Sequence, residues 1–297
     1  MTLLSKLQTQ FPALRLLPNE PMASHTSFRI GGPVLMACPS SREELTNLYR
    51  FCIKEEIPMR ILGAGTNVLA PDEGLEQLVI CTRDLSEMQD LGHGMIAADC
   101  GVSLARLACF ARDLSLTGLE FAHGIPGSVG GGVYMNAGAY GGEMCQVIET
   151  VTALIPDGTL KEIQVEGQCF GYRRSLFAEE NMVILGASFR LRPENREEIA
   201  AKMKELMEKR KASQPLDMLS AGSTFKRPAT GYAAALIDQA GLKGQGIGGA
   251  AISTKHAGFV VNKGGATAAD VKATMAMIQK KVKEQSGVML EPEVRIW

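Results

Sequence analysis

Eight of the chain's 32 glycines fall between Gly124 and Gly142. The run reads Gly124-Ile-Pro-Gly127-Ser-Val-Gly130-Gly131-Gly132-Val-Tyr-Met-Asn136-Ala-Gly138-Ala-Tyr-Gly141-Gly142. A flexible linker is polar throughout, whereas Ile125, Val129, Val133 and Met135 interleave these glycines. The stretch therefore reads as ordered backbone inside a core. Glycine reaches positive φ without a Cβ penalty and lets N–H groups approach a ligand closely. Successive N–H groups pointing one way make a nest for an anion such as a pyrophosphate. A tight turn between packed elements is the competing reading.

A second cluster, Leu62-Gly63-Ala64-Gly65-Thr66-Asn67-Val68, follows an apolar run that reads as a strand. A dinucleotide fingerprint fails here. Its third glycine position is Val68, and Pro71 and Gly74 forbid the long helix that should follow. A turn cradling phosphate or ring atoms and a plain turn both remain open. A third cluster holds five glycines from Gly241 to Gly249, beside Ala250, Ala251 and Ile252. Close backbone packing is the expected reason.

Composition narrows the function classes. Lys plus Arg is 31 and Asp plus Glu is 32, a net charge of -1. A general nucleic-acid coat needs a basic surface. Aromatics at 5% also argue against stacking platforms for single strands. No signal peptide and no apolar run of membrane-spanning length is read. The seven cysteines form no CxxC pair and read as reduced cytosolic thiols. The four histidines are scattered, so no protein-ligated metal is expected. The length of 297 residues suggests about two domains.

Short strands and helices run through the chain. Ser41-Arg-Glu-Glu44 has capping-box spacing and opens a helix with Leu45, Leu48, Cys52 and Ile53 on its apolar face, ending before Pro58. Met59–Leu62, Leu78–Cys81, 95–98 and 182–191 read as strands. Ser103 caps a helix with Leu104, Leu107, Ala108, Ala111 and Leu114 on one side. Residues 150–165 read as a hairpin turning at Asp157-Gly158. Pro193 marks a boundary. After it, 194–211 read as an amphipathic helix burying Ile199, Met203, Leu206 and Met207. Thr267 to Asp270 has capping-box spacing for a helix that Gly287 ends, and 288–297 read as a closing strand interrupted at Pro292. The class is α+β.

Three polar sites interrupt patterned segments. Arg173, in Phe170-Gly-Tyr-Arg-Arg-Ser175, can hold a carboxylate bidentately, though taken alone an ordinary loop arginine is the favoured reading. Ser223, in Gly222-Ser-Thr-Phe-Lys226, sits at a turn but without a nucleophile elbow, so a hydrolase triad is poorly supported. Glu291 and Glu293 share a strand face unless Pro292 breaks the alternation, with a solvated edge strand as the plain alternative.

Taken together the motifs are specific. The chain closely resembles the UDP-N-acetylenolpyruvoylglucosamine reductase family from about Thr26 to Trp297. The resemblance rests on Thr26-Ser-Phe-Arg-Ile-Gly-Gly32, Leu62 to Val68, Gly124-Ile-Pro-Gly-Ser-Val-Gly-Gly131, Asn136-Ala-Gly-Ala-Tyr140, Tyr172-Arg-Arg-Ser175, Gly222 to Lys226 and Leu290-Glu-Pro-Glu-Val294. It implies an α+β chain with a two-subdomain FAD-binding domain of the vanillyl-alcohol-oxidase (PCMH) type at 1–192, its subdomains about 1–82 and 83–192. A substrate-binding domain at 193–297 would follow, its last strand returning to the flavin. FAD contacts fall by resemblance on Gly63, Ala64, Gly65, Thr66, Asn67, Val68, Gly124, Ile125, Pro126, Gly127, Ser128, Gly131, Gly132, Asn136, Ala137 and Gly138. Substrate contacts fall on Tyr172, Lys211 and Lys226.

The resemblance further implies that NADPH reduces FAD, which then reduces the enolpyruvyl group of UDP-N-acetylglucosamine enolpyruvate to give UDP-N-acetylmuramate. Hydride addition leaves negative charge beside the carboxylate, and positioned donors stabilise such charge. Arg173 and Glu293 take that role by resemblance, and Ser223 gives a proton to the carbon. A bare Glu293 carboxylate would repel the charge, which predicts a protonated or hydrogen-bonded carboxyl. Arg227 and Gly258 depart from the family pattern, which touches substrate contacts and not the core chemistry. The chain between Arg173 and Ser223 lacks the inserted tyrosine loop of the longer family form. FAD is expected to bind non-covalently, with His93, His123 and Cys145 in packing roles. The resemblance implies a cytoplasmic monomer with no membrane insertion. A flavin oxidase and a nucleotide-sensing protein on a decayed reductase are the competing readings. The intact trio Arg173, Ser223 and Glu293 disfavours both.

Overall fold

Serine and threonine caps start the helices where the sequence places them. Ser41 Oγ accepts from Glu44 N at 3.1 Å and opens helix Arg42–Lys54. Ser103 Oγ accepts from Arg106 N at 3.2 Å and opens Leu104–Asp113. Thr267 and Asp270 form a reciprocal capping box at the head of Ala268–Ser286, which Gly287 ends at φ 73. Each cap satisfies N–H groups that a helix end leaves without partners. The computed structural model describes residues 2–297.

The chain forms two compact units, each built from discontinuous segments. The first comprises Met1–Pro18, Leu35–Ala64 and Gln77–Lys209. Its smaller sheet has the order Arg15–Pro21, Pro33–Cys38, Leu78–Cys81, Met59–Leu62, and the last three strands are parallel. Its larger sheet is antiparallel, ordered Leu160–Gln164, Ile148–Leu154, Val183–Arg190, Met95–Asp99, Met88–Gly92. The hairpin turn falls at Asp157-Gly158 as expected. Leu45, Leu48, Cys52, Leu104, Leu107, Val129, Val133, Val151 and Phe189 join one core.

The second unit comprises Asn19–Val34, Gly65–Glu76 and Arg210–Trp297. Its antiparallel sheet is ordered Leu219–Ser220, Val260–Asn262, Ala250–Ile252, Gly246–Ile247. Val271, Met275, Ile278 and Val282 of helix Ala268–Ser286 pack in its core with Ile237, Val260 and Leu290. Full burial of each such side chain stabilises by about 1.5–3 kcal/mol.

Three findings refine the expected elements. The helix after Pro193 runs Arg196–Ser213. It buries Ile199, Met203, Leu206 and Arg210, while Met207 is only half-buried. Residues 288–297 are not one strand. Pro292 makes an isolated bridge to Phe225, and Arg295–Ile296 pairs in parallel with Val68–Leu69. Proline has no N–H to extend a ladder through residue 292. The units also divide the chain differently from a cut at 192/193. Ile199 and Met203 belong to the first core, while Phe28, Ile30 and Leu69 belong to the second.

Candidate functional site

In the first unit, the glycine run folds as expected from its apolar interleaving. Val129–Tyr134 is a short helix capped by Ser128, and Val129 and Val133 are fully buried. Ile125 and Met135 are half-buried, so the apolar interleaving is only partly core. The fit of these residues to FAD rests on their bare backbone. A Cβ added at Gly63 would lie 2.5 Å from Ser128 Oγ, while one at Gly131 would meet only that same oxygen, at 3.6 Å. Gly63 and the head of the glycine helix thus face each other with no side chain beyond that hydroxyl between them. Such a cradle suits close approach by phosphate or ring atoms. The Gly63-Ala64 turn is held by Thr82 N to Leu62 O at 2.9 Å and by an Arg83 guanidinium N–H to Ala64 O at 2.8 Å. Val68–Leu69 is a strand, with no long helix following, in keeping with the rejected dinucleotide fingerprint.

Downstream of the glycine helix, the hairpin Phe170–Ser175 carries Arg173 at φ 53. The Arg173 guanidinium donates to Asn136 O at 3.3 Å and Gly138 O at 3.2 Å, and lies 5.1 Å from the Tyr172 ring centre. Asn136 is 1% exposed, with φ 43. Its Nδ2 donates to Gly171 O at 3.0 Å and Glu143 Oε2 at 3.1 Å, and its Oδ1 accepts from Cys145 N at 3.0 Å. Both amide hydrogens are therefore committed within the protein. An open groove of about 280 Å³ is lined in part by Asn136, Glu143, Cys145, Phe170, Gly171 and Tyr172. Burial raises the Cys145 thiol pKa, which lowers its thiolate fraction and its nucleophilicity. Burial likewise lowers the pKa of His123, which favours a neutral ring.

In the second unit, Ser223 and Glu293 lie on adjoining segments. Glu293 N donates to Thr224 O at 2.9 Å, and Lys226 N donates to Glu291 O at 2.9 Å, on either side of the Phe225–Pro292 bridge. Thr224 is 1% exposed. Its N–H donates to Gly258 O at 2.8 Å and its Oγ1 accepts from Val260 N at 2.9 Å. Ser223 is exposed beside this fixed residue, next to Gly222 at φ 75. The Asn67 side-chain amide donates to Glu293 O at 3.1 Å, tying the Gly65–Val68 loop to the closing segment. Lys226 Nζ pairs with Glu291 at 2.5 Å. Lys211 is exposed, and its carbonyl accepts from Lys255 Nζ at 2.5 Å.

Several residues of this framework had no role assigned from the sequence. Thr26 Oγ1 bridges Ile30 N and Ile30 O, and Ser27 N donates to Gly65 O at 3.0 Å, so the Thr26–Gly32 motif closes on the Gly65 loop. Asn262 Nδ2 donates to Phe28 O at 2.9 Å, while its Oδ1 accepts from Gly264 N and Ala266 N. A polar residue ending the apolar run Val260-Val261 was a usable signal for it. Glu143 had none, because a carboxylate after Gly141-Gly142 looks like any turn. Of the 241–249 glycines, Gly246, Gly248 and Gly249 are packing elements, whereas Gly241 and Gly244 serve turns at φ 68 and 77. A Cβ on Gly248, at φ 56, would lie 2.2 Å from an Asp270 carboxylate oxygen, and Gly249 N donates to that carboxylate at 3.1 Å.

Known proteins resemble the chain across nearly its whole length. The family model described as "UDP-N-acetylenolpyruvoylglucosamine reductase, C-terminal domain" matches residues 214–297. The model described as "FAD binding domain" matches residues 33–164. The reductase of Syntrophomonas wolfei is 45% identical over 286 residues, 96% of each chain. That of Caldanaerobacter subterraneus is 46% identical over 295 residues, 99% of this chain and 97% of the relative. The crystal structure of the reductase from Thermus caldophilus superimposes with a TM-score of 0.82 at 35% identity, covering 96% of this chain and 99% of that one. With an FAD-binding domain, the reductase C-terminal domain and identities this high over almost the full length, the chain belongs to the UDP-N-acetylenolpyruvoylglucosamine reductase family of FAD-containing oxidoreductases.

Proposed function

We propose that the chain catalyses the NADPH-dependent reduction of UDP-N-acetylglucosamine enolpyruvate to UDP-N-acetylmuramate, a step of peptidoglycan precursor synthesis. FAD, when bound, supplies the hydride that reaches the methylene carbon of the enolpyruvyl group. The bare turns at 63–68 and 124–132 hold it without a covalent link. The high pKa of the Cys145 thiol supports that reading.

The protein residues manage charge and one proton. Arg173 binds the enolpyruvyl carboxylate, where negative charge develops. Its partners include two neutral carbonyls, at 3.2 and 3.3 Å. A carboxylate offers charge-assisted hydrogen bonds about twice as strong, so the guanidinium gains by exchanging. Glu293, as a neutral carboxyl, adds a second donor, and Ser223 delivers the proton to the carbon next to the carboxylate. A donor at developing negative charge contributes about 3 kcal/mol in a dry site. Tyr172, Lys211 and Lys226 contact the substrate, with Lys226 first giving up Glu291. The enzyme works as a cytoplasmic monomer.

The observation that carries this reading is the pairing of the Ser223–Lys226 and Glu291–Glu293 segments, with Asn67 of the flavin loop bound to Glu293 O. The assay is NADPH oxidation dependent on the enolpyruvyl sugar nucleotide. Ser223→Ala should lose about 100-fold or more in substrate reduction while NADPH still bleaches its flavin. Loss of both half-reactions together would remove Ser223 from the proton step.

A further inference from the structure

We infer that Asn136, braced by Glu143, is the positioning residue for Arg173 in the substrate half-reaction. The inference rests on the assignment of Arg173 to the substrate carboxylate and adds the device that aims it.

Asn136 holds the arginine hairpin at two points. Its side chain donates to Gly171 O, two residues before Arg173, and its own carbonyl accepts from the Arg173 guanidinium. A third tie fixes the hairpin's other end, where Ser175 Oγ donates to Tyr134 O at 2.7 Å. The amide has one workable orientation. Nδ2 serves two acceptors and Oδ1 serves one donor, so a flip would set like against like at all three. Glu143 is fixed in turn by its reciprocal capping box with Gln146.

The residue type follows from the backbone. At φ 43 a side chain is strained unless it is Asn, Asp or Gly. Aspartate keeps the turn but lacks the donor, and glycine keeps the turn but has no side chain at all. Asparagine meets both demands. The Asn136 side chain spends one donor on the hairpin at Gly171 O and the other on Glu143, so these hydrogens are not those of the flavin contact expected of Asn136 by resemblance, and its contribution to substrate reduction runs through Arg173.

The test uses the FAD-loaded full chain and measures the two half-reactions separately. Asn136→Asp sets a carboxylate against Glu143 and the Gly171 carbonyl with the turn retained. Substrate reduction should fall by about 100-fold, the cost of an error of about 1 Å in a reacting group. Flavin reduction by NADPH should fall far less. Adding Glu143→Gln returns a donor to face Asp and should recover about tenfold. In an Arg173→Ala background, Asn136→Asp should cost nothing further, because the group it aims is gone. Glu143→Ala, which leaves the turn residue in place, should lower substrate reduction selectively and gives the same reading if Asn136→Asp does not fold. Equal loss of both half-reactions, additive losses with Arg173→Ala, or no rescue by Glu143→Gln would each overturn the inference. If Arg173→Ala itself reduces substrate normally, the assignment of Arg173 fails. If Arg173→Ala is impaired and Asn136→Asp is not, only the positioning role fails.

Discussion

At the residue scale, chemistry and support are separated in the chain. Arg173, Ser223 and Glu293 stood out because their residue types suit charge and proton handling. Thr224 and Asn262 did not, and Asn136 entered only as a flavin contact implied by resemblance, because their work is to satisfy buried polar groups that only the fold brings together. Removing one partner from a buried hydrogen bond costs about 1–3 kcal/mol, so such residues are as constrained as reacting ones. Glu293 offers a direct check of its proposed neutral donor role. Glu293→Gln, which keeps an N–H donor, should retain more turnover than Glu293→Asp, which withdraws the carboxyl by one methylene. Equal losses in steady-state turnover would count against that role. Two histidines set a pH limit. Burial holds the pKa of His256 below its ordinary 6.5, with Lys243 adding to the shift and backbone hydrogen bonding opposing it in part. Burial and then Arg112 do the same for His123. The unfolded chain then binds more protons than the folded one as pH falls below about 6.5. The contribution is present in full above that pH and is lost toward the depressed folded values. Denaturant midpoints should decline between pH 7.5 and 5, and His256→Gln should flatten the decline.

At the element scale, local signals were legible where one residue decides. Ser41, Ser103, Thr267 and Gly287 each begin or end a helix as their types require. The hairpin at Asp157-Gly158 was legible for the same reason. The closing strand was not, because a proline inside an alternating run leaves the partner of each half to the fold. Nor was the second brace on helix Ala268–Ser286. Asp72 Oδ1 and Oδ2 accept from Ala268 N at 2.7 Å and Ala269 N at 3.2 Å. A carboxylate there satisfies two end N–H groups and complements the helix dipole. Asp72→Ala should destabilise by about 1 kcal/mol, and Asp72→Asn by less because one acceptor remains. Urea unfolding of the two variants against the parent measures the difference.

At the scale of the whole molecule, the second unit is sewn from three stretches of chain, so a fragment of residues 193–297 lacks part of its own core. It would lose Phe28, Ile30 and Leu69, the Asp72 brace and the strand that pairs with Arg295–Ile296. Such a fragment should show no cooperative thermal transition by circular dichroism. A sharp transition would mean that residues 210–297 suffice for a core. The sequence by itself determined the α+β class, the helix ends at Ser41, Ser103, Thr267 and Gly287 and the glycine-lined turns, because residue type and local spacing decide each of these, while the family was legible through the resemblance of its motifs. Tertiary structure alone decided that Asn19–Val34 and Gly65–Glu76 join the second unit, that the Thr26–Gly32 motif closes on Gly65, and that Asn136 grips the Arg173 hairpin. Those features depend on partners 35 or more residues apart, and no local pattern records which distant backbone group a buried side chain must satisfy.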